Sequence, residues 1–545
     1  MQIVLQKNDG KSHSQKKLET TRTASCILRP KMESIVRKFA AMPQRSILAL
    51  SLILLLAGNW IMPLTDRDET RFAEASREML QRKDYIVPWF NGQWRFDKPI
   101  LIYWCQSACY RLLGANNFAA RLPSALFTTA TALLLVRWGR KIANAETAFI
   151  AGAMFITGLH VALIGRVATA DMAMVFFFTL VVWSGWELTR PENPRRAMWW
   201  GIFYVTLALG FLAKGPVAWL PIGGLILGRV LRKDTFYLPW GATITGVILA
   251  VALAACWGIP ALEQTRGQYW KVGMGEHVIR RSIAVNDSHG ISGWVGFVLP
   301  LPLYFVTFLI SFLPWTIHKP ERIEPWLEKQ KEKGPLSNCF AQIVRGLLFI
   351  LYIPIKIWRW WPGRRGDIVG WYLLAQPLVV FITFSLVKTK LPHYTMPAFP
   401  CVALWLALQL RSEENSFGWF QRRLVAMVVI ILALMLGFTS VFKNYLLTEN
   451  LWKAVRPQVR PETKVGCFGY VEPSLVWKFR GIITNIVVLG EEKDARNFLT
   501  NTPPFILVLP TADVASLSDT NGLQVLVHGL DMVKFKNWDL TAIMR

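Results

Sequence analysis

The chain has 545 residues, 53% of them hydrophobic and only 18% charged, with 61 Lys and Arg set against 35 Asp and Glu. Its apolar residues collect into uncharged runs of about 16 to 23 residues, enough to cross roughly 30 Å of hydrocarbon at 1.5 Å per residue, which excludes a single soluble globule. Aromatic content of 13% with 25 Trp excludes disorder, and the runs lack the short alternating strands of a transmembrane barrel.

The expected fold is a polytopic α-helical membrane protein. The formal charge of +26 does not point to nucleic acid, because most Lys and Arg lie in short loops between apolar runs, where they orient a membrane protein. Residues 1–45 are polar and basic and read as a loosely ordered cytoplasmic tail. The first apolar run, 46–64, is too far from the start for a cleaved signal and lacks a small-residue cleavage site, so it reads as an uncleaved anchor.

Further spans are expected at 122–138, 147–165, 172–189, 197–213, 216–229, 237–258, 294–316, 368–387, 395–410 and 424–442. If each crosses once, the basic connectors 137–141, 190–196, 229–233, 319–365 and 411–423 fall on the cytoplasmic side. The connectors 65–121, 166–171, 214–215, 259–293 and 388–394 then face outward. This parity requires the apolar stretch 100–113, which carries Gln106 and Arg111, to lie in the outer interface with Trp104 and Tyr110 at headgroup depth. The stretch 340–357, interrupted by Arg345, Pro354 and Lys356, reads as interfacial on the cytoplasmic side.

The transmembrane domain is thus expected over 46–445, and a small α/β domain over 446–545 on the outer side. Short strands are expected at 464–470, 485–490, 505–510 and 523–529, with a helix at 491–499. Seven scattered cysteines form no disulfide framework and read as small core residues.

Ionisable residues recur at the outer ends of the spans. In the first external loop, 70–81 is helix-compatible, with Phe72, Ala75, Met79 and Leu80 on one side; such a helix could lie on the membrane and leave Asp68 and Glu69 at its start, beside Arg71. Carboxylates there also cap free N–H groups, so a structural reading stands beside the functional one. Asp97 and Lys98 precede Pro99 where the chain re-enters the interface, a surface ion pair or part of a site. Asp171 follows Arg166, and Lys214 precedes the Gly215–Pro216 break, whose exposed backbone is tolerated only at a cavity or at the interface. Glu276, His277, Arg280 and Arg281 form one group; Lys388, Lys390, His393 and Tyr394 form another. Any one of these could be a snorkelling anchor, but charges at membrane depth are costly and their collection on one face points to function.

The chemistry suggested is a mixed site. Lys98, Lys214, Arg280 and Lys390, with Arg71 and Tyr394, suit a phosphate or diphosphate, because ammonium and guanidinium donors make short charge-assisted bonds to its oxygens. Asp68 or Asp171, with Glu69, could accept a proton from an acceptor hydroxyl or stabilise developing oxocarbenium charge. His277 and Glu276 with Asp97 could hold a divalent ion, zinc or magnesium or manganese, although no HExxH-type spacing marks them.

The order DETRFAE (68–74), FDKP (96–99), Asp171, AKG (213–215), EHVIRR (276–281) and KTKLPHYTMPAFP (388–400) resembles the ArnT-like branch of the GT-C glycosyltransferases, which includes the bacterial enzyme that moves aminoarabinose to lipid A; protein O-mannosyltransferases are more distant relatives. The resemblance runs from about 46 to 410. It implies a polyprenyl-phosphate (undecaprenyl) sugar donor, inversion at the anomeric carbon, and a lipid A, lipopolysaccharide or other lipid- or glycan-linked envelope acceptor. It further implies a bacterial inner membrane, surrounding lipids as partners and a periplasmic site. Position by position, it makes Asp68 an essential acid, Lys98 a contact to the donor phosphate, Asp171 a second acid and Lys214 a cavity cation, with metal near Asp97 and His277. The usual FEKP is FDKP here, one methylene shorter. A lipid or polysaccharide flippase is the alternative; it would place its charges near the bilayer midplane, often in repeated halves, and no repeat is evident.

Overall fold

The computed structural model describes residues 34–64, 67–232, 239–280, 303–316, 367–387, 391–411, 416–517 and 521–545. Among these, six helices are long and apolar enough to cross a membrane, and the bent pair Ser34–Ala41 with Pro43–Leu56 raises the number to seven. The chain is a multi-pass helical membrane protein with a sheet domain at its C-terminal end.

The hydrophobic runs fold as helices because each is long and apolar; Pro123, Pro260 and Pro377 are carried inside the helices Asn117–Ile142, Trp240–Gln264 and Ile368–Leu386 without ending them. Asp171–Leu188 is the central helix, with 89% of its apolar window buried. Trp240–Gln264 and Phe417–Tyr445 are peripheral, each only 17% buried, and present bare Val and Ile faces suited to lipid tails. The span expected at 147–165 is interrupted: Ala145–Thr157 stops before Gly158, and a short helix, Leu159–Ile164, follows.

The expected break after Lys214 is a reversal of the chain. Gly215 adopts φ +75°, a conformation open to glycine at little cost. A 3-10 turn, Gly215–Trp219, then carries Trp219 back onto the preceding helix Arg196–Lys214. There its indole donates to the Leu207 carbonyl at 3.3 Å and its ring stacks on Phe211 at 5.1 Å. In a straight helix residues 207 and 219 would stand about 18 Å apart. Leu220–Arg232 therefore runs back rather than extending that helix, and packs on Ile368–Leu386 and, through Leu225 at Gly185, on Asp171–Leu188.

The first external loop corrects two expectations. Its helix, Arg67–Arg82, does not turn its apolar side to lipid: Phe72, Ala75 and Met79 are buried against Ile102 and Tyr103 of the next helix, Leu101–Leu113. Within that helix Tyr110 is buried and donates to the Ala73 carbonyl at 3.1 Å, so its ring meets protein and not lipid headgroups. Gln106 is also buried, donating to Ala120 O and accepting from Ser76 Oγ, which satisfies an otherwise costly polar group. Between the two helices a hairpin pairs β1 (Trp89–Phe90) with β2 (Gln93–Trp94). Asn91 and Gly92 turn it at positive φ, the two-residue geometry whose twist suits paired strands.

The C-terminal domain is a five-stranded mixed sheet in the order β4 (Ile486–Leu489), β3 (Lys464–Phe468), β5 (Phe505–Pro510), β7 (Lys536–Met544), β6 (Leu523–Asp531). Helices Pro473–Phe479 and Glu492–Leu499 cross between the parallel strands β3, β4 and β5. Side chains alternate across the central strand: Ile506 and Val508 face one core with Leu540 and Ala542, while Phe505, Leu507 and Leu509 face the other with Phe498. Each such buried aliphatic contributes about 1.5–3 kcal/mol. Among the described cysteines Cys401 and Cys467 are buried, Cys105 and Cys109 partly so, and Cys256 is exposed rather than in the core.

Candidate active site

The segment between Ile164 and Asp171 is held by polar contacts from three directions. The Arg166 guanidinium donates to the carbonyls of Leu54 and Ala57 at the end of Pro43–Leu56. Ser124 donates to Thr169 O at 3.1 Å. Glu69 accepts from Ala168 N at 3.0 Å while forming a bidentate pair with Arg121 at 2.7 and 3.0 Å. Arg121 also donates to Asn59, Met62 and Pro63 carbonyls, so the first external helix, the anchor helix and the Asp171 turn are tied at one buried point. Both Glu69 oxygens are committed there, which makes it a positioning residue for the turn rather than a group facing substrate.

Asp171 begins one helix and Lys214 ends the antiparallel neighbour, so each charge complements its own helix dipole. They meet as a buried ion pair, Lys214 Nζ donating to Asp171 Oδ1. Thr169 Oγ1 donates to Asp171 Oδ2 at 2.8 Å, and His393 Nε2 stands 3.8 Å from Oδ1. Tyr394 follows, its ring 5.9 Å from Lys214 Nζ and 5.1 Å from the His393 ring. His160 lies behind, its ring 6.5 Å from that of His393 and its Nδ1 2.9 Å from Ser311 Oγ.

The charges of Asp68 and Lys98 reach this group. His393 interacts electrostatically with Asp171, Lys214, Asp68 and Lys98, and burial holds its pKa below the ordinary histidine value against the pull of Asp171. Lys98 is half-buried and its carbonyl accepts from Tyr269 Oη at 2.6 Å. Asp68 is exposed at the first turn of its helix. Arg71, one turn on, is held below the usual guanidinium value by burial and then by Arg95, while Asp97 and Asp68 oppose the shift. Asp97 pairs with buried Arg95 at 2.8 Å, and Arg95 Nε donates to Tyr103 Oη at 3.1 Å.

Asp68, Arg71, Asp97, Lys98, Asp171, Lys214 and Tyr394 thus belong to one connected field. Glu276 is exposed on the helical segment Tyr269–Arg280, which packs closely on Phe96 at Gly273. The side chains of His277 and Arg280, and all of Lys390, lie outside the described residues. No group of three or more His, Cys, Asp or Glu among the described residues is placed to hold a metal ion, and Asp97 is engaged by Arg95, so no step below is routed through a metal. His160, Thr169, Arg95, Arg121 and Tyr269 had no role in the sequence reading; only Arg95, two residues before Asp97 in the same short run, lay beside a motif that could have drawn attention to it.

Comparison with known proteins finds similar chains and a similar structure. Residues 97–270 match a family described as dolichyl-phosphate-mannose-protein mannosyltransferase. The chain is 31% identical over 365 residues to an undecaprenyl phosphate-alpha-4-amino-4-deoxy-L-arabinose arabinosyl transferase of Aeromonas salmonicida, covering 65% of this chain and 58% of that one. It is 28% identical over 366 residues to the protein of the same name in Pectobacterium atrosepticum, with the same coverage of 65% and 58%. The chain therefore spans under two thirds of these relatives' length. The crystal structure of ArnT from Cupriavidus metallidurans bound to undecaprenyl phosphate superposes with a TM-score of 0.68 at 16% identity, over 91% of this chain and 97% of that one. The resemblance carried by the motifs is borne out: the chain is similar in sequence to these arabinosyl transferases and shares the ArnT (GT-C) fold.

Proposed function

We propose that the chain is an inverting glycosyltransferase that moves a sugar from a polyprenyl-phosphate donor to a lipid A, lipopolysaccharide or other envelope acceptor. The observation that carries this reading is the Asp171–Lys214–His393 group with Asp68 and Lys98 in electrostatic reach, one acid-and-cation field at one rim of the helices. The names of the arabinosyl transferase relatives support a polyprenyl-phosphate donor.

In the reaction the bond from the anomeric carbon to the lipid phosphate breaks while an acceptor oxygen attacks from the opposite face. Lys98 and Lys214 stabilise charge on the departing phosphate. Asp68, exposed at the start of its helix, orients the acceptor and stabilises cationic character at the sugar. An acceptor phosphate is already ionised near neutral pH and needs no strong base; an acceptor hydroxyl gives its proton to Asp68. Asp171, paired with Lys214, keeps the lysine ammonium in place. The site faces the periplasm of a bacterial inner membrane in this reading, since the short connectors 137–141, 190–196 and 229–233, each with three Lys or Arg, then stay inside.

Asp68→Asn and Lys98→Ala should each abolish transfer in purified protein supplied with a polyprenyl-phosphate sugar, while the melting temperature stays near wild type. Full activity in both rejects the site. A reporter fused after Arg545 should be active only outside the cytoplasm, and a cytoplasmic signal overturns the orientation.

A further inference from the structure

A second charged site lies in the seam between the C-terminal domain and the first external loop. A cavity of about 820 Å³ there is lined by Arg77, Arg456, Lys478 and Arg480 together with Trp60 and Trp452, and no acidic side chain among the described residues lines it. Behind the wall Glu74 pairs with Arg77 at 2.7 Å, and Glu449 pairs with Lys478. Arg456 and Arg480 have no carboxylate in ion-pair distance among the described residues, so the wall keeps an excess of two positive charges. Each is instead placed over an aromatic ring: Arg480 Cζ is 3.5 Å from the Trp477 centroid, and Arg456 Cζ is 5.6 Å from that of Trp452. Arg480 is also fixed by donating to the carbonyls of Trp477 and Ala115. Its two carbonyl partners and its stacking leave the guanidinium pre-oriented, so little entropy is lost when an anion arrives.

We propose that this seam binds the phosphate headgroup of an anionic membrane lipid. Four cations of the Lys/Arg type on one concave wall match a phosphate's several acceptor oxygens, and the volume lies within the range of small-ligand sites. The lipid source follows from the rim. Trp60, just beyond the apolar helix Pro43–Leu56, is 62% exposed, and Leu112, three residues before the lining residue Ala115, is 84% exposed. Exposed Trp and Leu at the end of a span are where acyl chains and headgroups meet. Burial first, partly offset by nearby acids, brings Arg480 down to about 10 and lowers Lys478, a cost that a bound anion would relieve. The start of helix Asn117–Ile142 borders the same cavity and adds the positive end of its dipole. Arg77 and Asp68 share one helix at nine residues' separation, about 14 Å, so this seam is a separate place from the Asp171 group. The proposal does not rest on the transfer reading and its test reads binding alone.

The full chain in detergent would be titrated with dioctanoyl phosphatidic acid, dioctanoyl phosphatidylcholine and inorganic phosphate. Wild-type protein should bind the phosphatidic acid and not the phosphatidylcholine. Arg456→Glu, at an exposed position, should weaken that binding about tenfold or more with an unchanged melting temperature, the loss expected for one charge-assisted contact turned repulsive. Lys478→Gln should weaken it in the same direction, and Arg456→Lys should retain most of it. Equal binding of both lipids, or phosphatidic acid binding unaffected by Arg456→Glu and Lys478→Gln, overturns the proposal. Inorganic phosphate competing as strongly as the phosphatidic acid overturns the lipid source and leaves a free-anion pocket.

Discussion

Lys214 Nζ donates to Asp171 Oδ1 across 43 residues of sequence, joining the end of one helix to the start of the helix before it. Removing one partner leaves a charge without its counter-ion in a poorly solvated place. Lys214→Met or Asp171→Asn alone should cost about 3–5 kcal/mol of stability and lower transfer at least about 100-fold. The double variant should recover most of the melting temperature and none of the activity. Thermal unfolding beside a transfer assay separates the two, and a double variant with wild-type activity would refute a role for the pair in catalysis.

Glu69 is expected to act through structure. Its carboxylate is shared between Arg121 and the Ala168 amide, so Glu69→Gln leaves Arg121 buried with its charge unmatched, a loss again of about 3–5 kcal/mol. Activity should fall through kcat as the Asp171 turn loosens, with the pH dependence of the remaining activity unchanged. Glu69→Asp should restore part of both. A shifted pH profile in Glu69→Gln would instead mark this carboxylate as a proton carrier.

Asp68, Lys98, Asp171 and Lys214 stood out in the sequence because they are charges close to long apolar runs, where hydrocarbon would reject them, Asp171 and Lys214 singly and Asp68 and Lys98 within a charge-dense loop. Glu69 was misread for the same reason: its partner Arg121 is 52 residues away, and local spacing gives no sign of a bidentate pair. The strands β3 to β6 stood out as short apolar runs. β7 did not, since its first half, Lys536 to Asp539, is polar and exposed or half-buried, and only Leu540 to Met544 enters the core. The β1–β2 hairpin carried a local signal, Asn-Gly between Trp89-Phe90 and Gln93-Trp94, that the reading of this loop passed over. Tyr110 was placed at the interface on residue type alone; the helix face it shares with Gln106 and Tyr103 is what buries it.

His393 gives the fold an acid-sensitive point. Its pKa lies below the ordinary value because burial opposes the charged ring, so the unfolded chain takes up a proton at higher pH than the folded one. Stability is therefore unaffected by this group above the unfolded pKa of about 6.5 and declines as pH falls from there toward the lower folded value. His393→Gln should lose less melting temperature between pH 7 and pH 5 than wild type. An identical decline in both proteins would show that other groups set the acid limb.

The C-terminal domain is docked through Asn91, whose side chain imitates a neighbouring strand. Its Nδ2 donates to Ile486 O at 2.8 Å, and its Oδ1 accepts from Ile486 N at 2.8 Å, closing both hydrogen bonds of one residue on edge strand β4. Arg67 with Glu472 at 3.1 Å and Trp477 with Asn117 at 3.0 Å add contacts nearby. Arg67 is about half exposed, so its ion pair contributes little; the paired hydrogen bonds contribute about 1 kcal/mol each, beside the burial of Trp477 against Ala73, Tyr110 and Ala119. Asn91→Ala should therefore weaken docking by about 2 kcal/mol and speed hydrogen exchange at the Ile486 amide roughly 30-fold, at 1.4 kcal/mol per factor of ten. Exchange at the central strand β5 should stay at the wild-type rate, because both of its ladders lie within the sheet. Equal acceleration at Ile486 and at Leu507 would mean that the sheet itself, and not its attachment to the first external loop, depends on Asn91.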